Sequence, residues 1–463
     1  MFLPDLVVRS RRVVTPLGIR PAAIHILNGR IAGVVDIDDA PSGCPVDDAR
    51  DYVVLPGLVD THVHVHEPEQ TSPEAFERTT RAAAAGGVTT IIAMPFDGSL
   101  PTTAVAALES KCRAAQGHCF VDVGFWAGVI PNNERELPAL FQAGALGFTC
   151  ALGSFEAGGP PAVSEAHLRA SMPALARIGA PLLAHAELPG PIGQAATERR
   201  THRAWLDRIP GVSRAACRYA TYLDSRPKAA ENEAIALLIQ LCEEHRLHTH
   251  IVHLSSSDAL TPIFHARSRR LPITAETCPQ YLTFVAEEIP DGATEYKCAP
   301  PIRDRANREF LWAALAGGLV QSVVSDHWPA PEVGASRNFL EARAGIASVQ
   351  AGLSIVWTGA SAREYTLEQV VRWMCLAPAQ LAGLARKGSI DVGFDADLVV
   401  FDPDEAFTVE PEVQDGHRVA TPYRGRRLRG VVKRTYLRGT FAHENGKVFP
   451  QAAGRLLLRR QNP

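Results

Sequence analysis

The sequence predicts an α/β chain. It reads as a (β/α)8 TIM barrel beside a small composite β-sandwich formed by both termini. Three observations carry this. Strand-like apolar runs alternate with Ala/Leu/Glu/Arg-rich helical runs through the middle of the chain. Both ends are instead short strands and turns. Histidines and an aspartate close several of the middle strands, where barrels of this kind place their chemistry.

The first strands are "DLVVRS", "RRVVTP", "AAIHILNGRIAGVVDI" and "DYVVLPG". Turns at Asn28-Gly29 and around Pro41-Ser42-Gly43 separate them. The C-terminal part returns to this style in "GSIDVGFDADLVVFDP" and "RLRGVVKRTYLRGTFAHENGKVF". Residues 1–54 and 388–463 are therefore assigned to one β-sandwich, and residues 55–387 to the barrel. Within the barrel, "VTTIIAMP" follows the helical "EAFERTTRAAAAGG", and "FVDVGFWAGVI" follows "TAVAALESKCRAAQ". "GALGFTCAL", "APLLAHAE", "HTHIVHLS", "LPITAETCP" and "QSVVSDHWP" continue the series.

Composition narrows the partners. The 463 residues carry a formal net charge of -3, which gives no reason to expect nucleic acid or an anionic membrane. No run approaches the ~20 apolar residues of a membrane helix. The N-terminal "MFLPDLVVRSRRVV" lacks the order of a signal peptide. Nine cysteines without a CxxC pair suit free thiols in a reducing cytoplasm.

The chemistry lies at the strand ends. "GLVDTHVHVHEP" ends with His62 and His64, whose i, i+2 spacing puts both imidazoles on one face. "PLLAHAE" ends with His185, "THIVHLS" with His253 and "VVSDHWP" with Asp326. Alone, His185 or His253 reads as a hydrogen-bonded core residue, and Asp326 as a helix cap. Together, four imidazoles and a carboxylate at one mouth describe a divalent metal site of borderline softness, which suits Zn2+. His118, His167, His202, His245, His265, His417 and His443 fit no such pattern and read as surface or packing residues.

These segments, with "RPKAAENEAIALLIQL", "ETCPQYLTF", "EYKCAPPIRDRANREFLWAAL" and "GSIDVGFDADLVVFD", resemble the cyclic amidohydrolases over nearly the whole chain. The allantoinase branch is nearest; dihydroorotases, dihydropyrimidinases and hydantoinases are further away. The resemblance implies a metal-bearing barrel and a composite β-sandwich. It implies hydrolysis, or reversible closure, of a cyclic amide, ureide or imide, and a homodimer or homotetramer. It also implies that His62, His64 and Asp326 hold one metal, and His185 and His253 a second. A metal lowers the pKa of bound water to ~7 and can polarise the ring carbonyl. Asp326 then acts as general base and acid.

One position departs from the resemblance. The family usually carries a lysine where Thr149 stands, and its carbamate bridges the two metals. Threonine cannot form it, so no carbamylated lysine is expected. Three readings follow: one metal, two metals bridged otherwise (His66 being a candidate), or an inactive relative that only binds or acts as a scaffold. Cys150 is a poor bridge, because neighbours on a strand point to opposite faces. His66, Glu69, Asp97, Gln280, Trp328, Arg343 and Ala344 also depart from common family residues. His66, Asp97 and Gln280 are the substrate-binding candidates. Together these departures point away from ordinary allantoin hydrolysis, with an ordinary allantoinase holding a compensated site as an alternative.

Overall fold

The computed structural model describes residues 3–65, 73–96, 100–153, 159–206, 212–328, 336–410, 413–414, 417–418 and 420–459. Eight parallel strands among them form the barrel. They are β1 (Leu58–Val63), β2 (Val88–Ala93), β3 (Asp122–Phe125, continued as Ala127–Gly128) and β4 (Phe148–Ala151). β5 (Leu182–His185), β6 (Thr249–Ile251), β7 (Ile273–Thr277) and β8 (Ser322–Val323) complete it. Neighbours pair in sequence order from β1 to β8. A parallel bridge between Val63 and His327 joins the last strand to the first, and the His64 N–H donates to the His327 carbonyl at 2.9 Å.

Local sequence explains these elements. "VTTIIA" in β2 is buried along its whole length, as a parallel strand covered on both faces requires. β3 is interrupted at Trp126, whose indole N–H donates to the Thr61 carbonyl of β1 at 2.8 Å. Helix Glu165–Ile178 starts at Ser164 with a capping box completed by His167, and ends at Gly179 in the left-handed region. Before β2, the chain must pass close to the segment that follows β8. A side chain at Gly86 would lie 2.5 Å from the Val349 carbonyl, so only glycine fits.

Both termini meet in a nine-stranded sheet. The junction is an antiparallel pairing of Val53–Pro56 with Leu398–Phe401. The sheet is continuous, and its register shifts at Ser10/Val13, Val400/Phe401 and Asp402/Ala406. Such bulges bend strands and increase twist. The edge strand Arg30–Val35 is brought back so that Ile31 N–H donates to the Phe394 carbonyl at 2.9 Å. The curled sheet encloses its own core of Val8, Ile24, Val54, Leu398, Val400 and Tyr436.

A buried ionic network fastens this sheet to the N-terminal end of β3. Lys387 donates to Asp122 at 2.7 Å and to Asp397 at 2.6 Å, with Asp395 at 3.1 Å. Arg438 adds bonds to both oxygens of Asp122 at 2.6 Å. The three carboxylates lie close enough to hold a cation, and the Lys387 ammonium occupies that role. None of the nine cysteines forms a disulfide. Among the described residues, no helix is long and apolar enough to cross a membrane.

Candidate metal centre at the barrel mouth

The C-terminal strand ends gather the predicted residues. His62 lies in β1 and His64 just after it. His185 is the last residue of β5, His253 follows β6, and Asp326 follows β8. The imidazoles form a continuous cluster. Ring centroids are 5.5 Å apart for His62 and His64, 5.3 Å for His62 and His253, and 4.8 Å for His185 and His253. His62, His64 and Asp326 each offer a ligand atom within 4.8 Å of the others. Asp326 Oδ1 stands 3.4 Å from His62 Nε2 and 3.8 Å from His64 Nε2.

Backbone conformation contributes to this placement. His253 (φ 38°) and Asp326 (φ 49°) both occupy the left-handed region. Non-glycine residues there are uncommon and cluster at functional sites, because the conformation costs free energy that the surroundings must supply. Asp60 steadies the last strand against the first. Its carboxylate accepts from the backbone N–H of His62 and of Ser325, each at 3.2 Å. Burial pushes the Asp60 carboxyl up to about 6, although those bonds pull it down.

Two buried carboxylates hold His62 and His185 from behind. Glu276 Oε1 faces His62 Nδ1 at 2.7 Å, and Glu187 Oε2 faces His185 Nε2 at 3.0 Å. A carboxylate that holds the proton on one ring nitrogen leaves the other nitrogen's lone pair for a metal. Here the other nitrogens are His62 Nε2, which faces Asp326, and His185 Nδ1, which faces His253 Nε2. Arg226 neutralises Glu187 through bonds of 3.0 and 2.5 Å. Burial opposes the Glu187 charge, but Arg226 and then His185 outweigh it and hold the carboxyl well below its ordinary range. Burial likewise opposes the Glu276 charge, and bonds from His250 and His62 hold this carboxyl low. The same balance acts on His62: burial disfavours its charge, while Glu276, Asp326 and Asp60 push it up to about 9. Two imidazoles and a carboxylate converging here form a donor set that fits a divalent metal.

His253 behaves differently. Burial and the adjoining His185 and His62 rings keep it neutral, well below the ordinary histidine value. Its Nε2 lies 3.0 Å from His185 Nδ1, and its Nδ1 has no hydrogen-bond partner among the described residues. Gln280 sits in the short helix Pro279–Thr283 after β7, fully buried, and its amide reaches Asp326 Oδ2 at 3.2 Å. Trp328 lies against His64, with ring centroids 4.1 Å apart. Thr149 is buried in β4, paired with Gly128 of β3 and Leu183 of β5. Burial pushes the neighbouring Cys150 thiol up to about 12, leaving a neutral, poor ligand. His66, Glu69 and Asp97 lie outside the described residues.

Sequence reasoning missed Asp60, Glu187, Arg226, His250 and Glu276. The strand pattern held one usable signal. In "LPITAETCP", Thr274 and Glu276 have i, i+2 spacing on a strand that must be buried on both faces, so a carboxylate there needs a polar partner.

A closed parallel barrel with imidazoles and a carboxylate at its C-terminal mouth defines a metal-dependent hydrolase of the (β/α)8 class. The profile of the amidohydrolase family matches residues 53–442, and the chain belongs to that family. It is 43% identical to an allantoinase of Streptomyces avermitilis over 456 residues, covering 98% of this chain and 99% of the other. Identity to an Arabidopsis thaliana allantoinase is 39%, covering 97% and 90%. The fold matches an L-hydantoinase (dihydropyrimidinase) from Arthrobacter aurescens with a TM-score of 0.88 at 29% identity, over 99% of this chain and all of that one. The protein is a metal-dependent cyclic amidohydrolase of the allantoinase-like kind.

Proposed function

We propose that this enzyme opens the ring of a five-membered cyclic ureide, with allantoin as the first substrate to test. The relatives named allantoinase, similar over nearly the full length, support that choice. A modified ureide is the second reading, favoured by the substitutions around the mouth, such as Trp328 against His64.

The metal reading rests on one observation: His62, His64 and Asp326 converge, with His62 held in the ligating tautomer by Glu276. Imidazole and carboxylate donors suit zinc. A bound ion would supply Lewis acidity and activate water at neutral pH. Asp326 accepts the proton from the attacking water and returns it to the ring nitrogen as the C–N bond breaks. The water oxygen stays on the former carbonyl carbon, and the product is a ring-opened carboxylate. Gln280 holds Asp326 from behind, whereas His66 and Asp97 are assigned to substrate contact.

One zinc per chain is the metal count we favour. Thr149 offers no anionic bridge, and His185 and His253 already engage each other. We further assign residues 1–54 and 388–463 to one unit and 55–387 to the barrel, and expect a cytoplasmic homodimer or homotetramer. Metal analysis of protein purified without chelator, combined with an allantoin hydrolysis assay, tests the function. Stoichiometric zinc with ring opening is expected. Metal-free protein without turnover would replace this reading with a binding or scaffold role.

A further inference from the structure

A line of polar groups, buried from His62 to His250 and half-buried at Thr274 and His248, leads from His62 along β6 and β7. Glu276 faces His62 with Oε1 at 2.7 Å, and its Oε2 lies 3.1 Å from His250 Nε2. His250 Nδ1 lies 2.7 Å from Thr274 Oγ1, which is in turn 2.9 Å from His248 Nε2. His248 precedes β6 and so stands at the N-terminal end of the strands, opposite the metal centre. β6 and β7 pair His250 with Thr274, which sets the register of the line. Glu276 has no exposure and His250 almost none.

The chemistry of Glu276 fixes the direction of the bonds on either side of it. An ionised carboxylate only accepts, so His62 Nδ1 and His250 Nε2 both donate to Glu276. His250 Nδ1 and His248 Nε2 both face the Thr274 hydroxyl, which donates to one ring and accepts from the other. Each group constrains the orientation of its neighbour, and at the other end of the line His62 turns its Nε2 toward Asp326.

We infer that His250, supported by Thr274 and His248, is a positioning residue for the metal centre: it locks Glu276, and through it the orientation and tautomer of His62. This rests on the proposed metal reading. A merely structural polar cluster would affect folding stability and leave metal affinity alone.

The test measures metal dissociation constants by chelator competition on metal-free full-length protein, together with the visible spectrum of the Co2+-loaded form. His250→Leu is expected to weaken binding roughly 10- to 100-fold, the usual range for loss of a partner behind a ligand, and to alter the Co2+ bands. His250→Gln, which restores a donor toward Glu276, is expected to recover most of the affinity. Thr274→Val removes only a hydroxyl at nearly constant volume, and carries the same test should His250→Leu not fold. Wild-type affinity and an unchanged spectrum in the folded variants would overturn the inference. A wild-type protein that binds no metal would instead defeat the metal reading itself.

Discussion

Gln280 donates its side-chain amide to Asp326 Oδ2 at 3.2 Å, while Asp326 Oδ1 points to His62 and His64. The two carboxylate oxygens therefore face different groups, one the Gln280 amide and one the two imidazoles. Asp326 needs that anchor, because its backbone sits at φ 49° just past a two-residue strand. Gln280→Leu should lower kcat by about 10- to 100-fold with little change in KM, since it loosens a group whose work lies in the transition state. Steady-state kinetics on the ring-opening reaction check this; a change confined to KM would place Gln280 in substrate binding instead.

Asp326→Asn should be more severe. An amide keeps the shape but cannot take a proton from water. General acid–base catalysis contributes about 10²–10⁴ in rate, and a loss in that range is expected in the folded variant. Retention of near wild-type turnover would move the general base elsewhere.

Thr149→Lys asks what the strand β4 position contributes. If the wild-type protein holds one ion, the lysine variant grown with bicarbonate should hold more metal per chain, read by elemental analysis. An unchanged count of two in both proteins would show that another group bridges the ions.

Lys387 joins the terminal sheet to the barrel through Asp122 and Asp397, all buried. Lys387→Met removes the ammonium from Asp122, Asp395 and Asp397, of which Asp122 alone keeps two bonds from Arg438. Breaking one partner of a buried pair costs about 3–5 kcal/mol, and chemical denaturation should show a loss of that order. Adding Asp397→Asn should restore part of it; no coupling between the two changes would disprove the network.

Acid should weaken the fold through His443, which is 3% exposed at the junction. Burial pushes it down to about 4, against about 6.5 in an unfolded chain. Between these values the unfolded state binds a proton that the folded state refuses. Stability therefore rises with pH across this window, and is lost as pH falls from about 6.5 toward 4, by at most ~1.4 kcal/mol per unit. Replacing His443 by Gln should flatten this part of the stability curve; an identical slope would rule the residue out.

Much of the architecture was readable because its causes are local. Buried parallel strands must be short apolar runs, so β2, β4 and β5 stand out between amphipathic helices. The terminal strands announce themselves by β-branched residues and Asn-Gly turns, and pair as expected between residues 53–56 and 398–401. Their enclosure of a core by one curled sheet depends on bulges, which no alternation pattern marks.

By itself the sequence determined which side chains end the strands, His62, His64, His185, His253 and Asp326, and that Thr149 stands where the family's lysine would be. Periodicity is a short-range property, and strand ends are where it breaks. Tertiary structure alone decided the buried partners: Glu276 meets His62 across 214 residues of chain, Gln280 meets Asp326 across 46, and, away from the mouth, Lys387 meets Asp122 across 265. A buried charge must find its partner wherever closure of the barrel brings one, and the spacing of residues along the chain carries no record of that meeting.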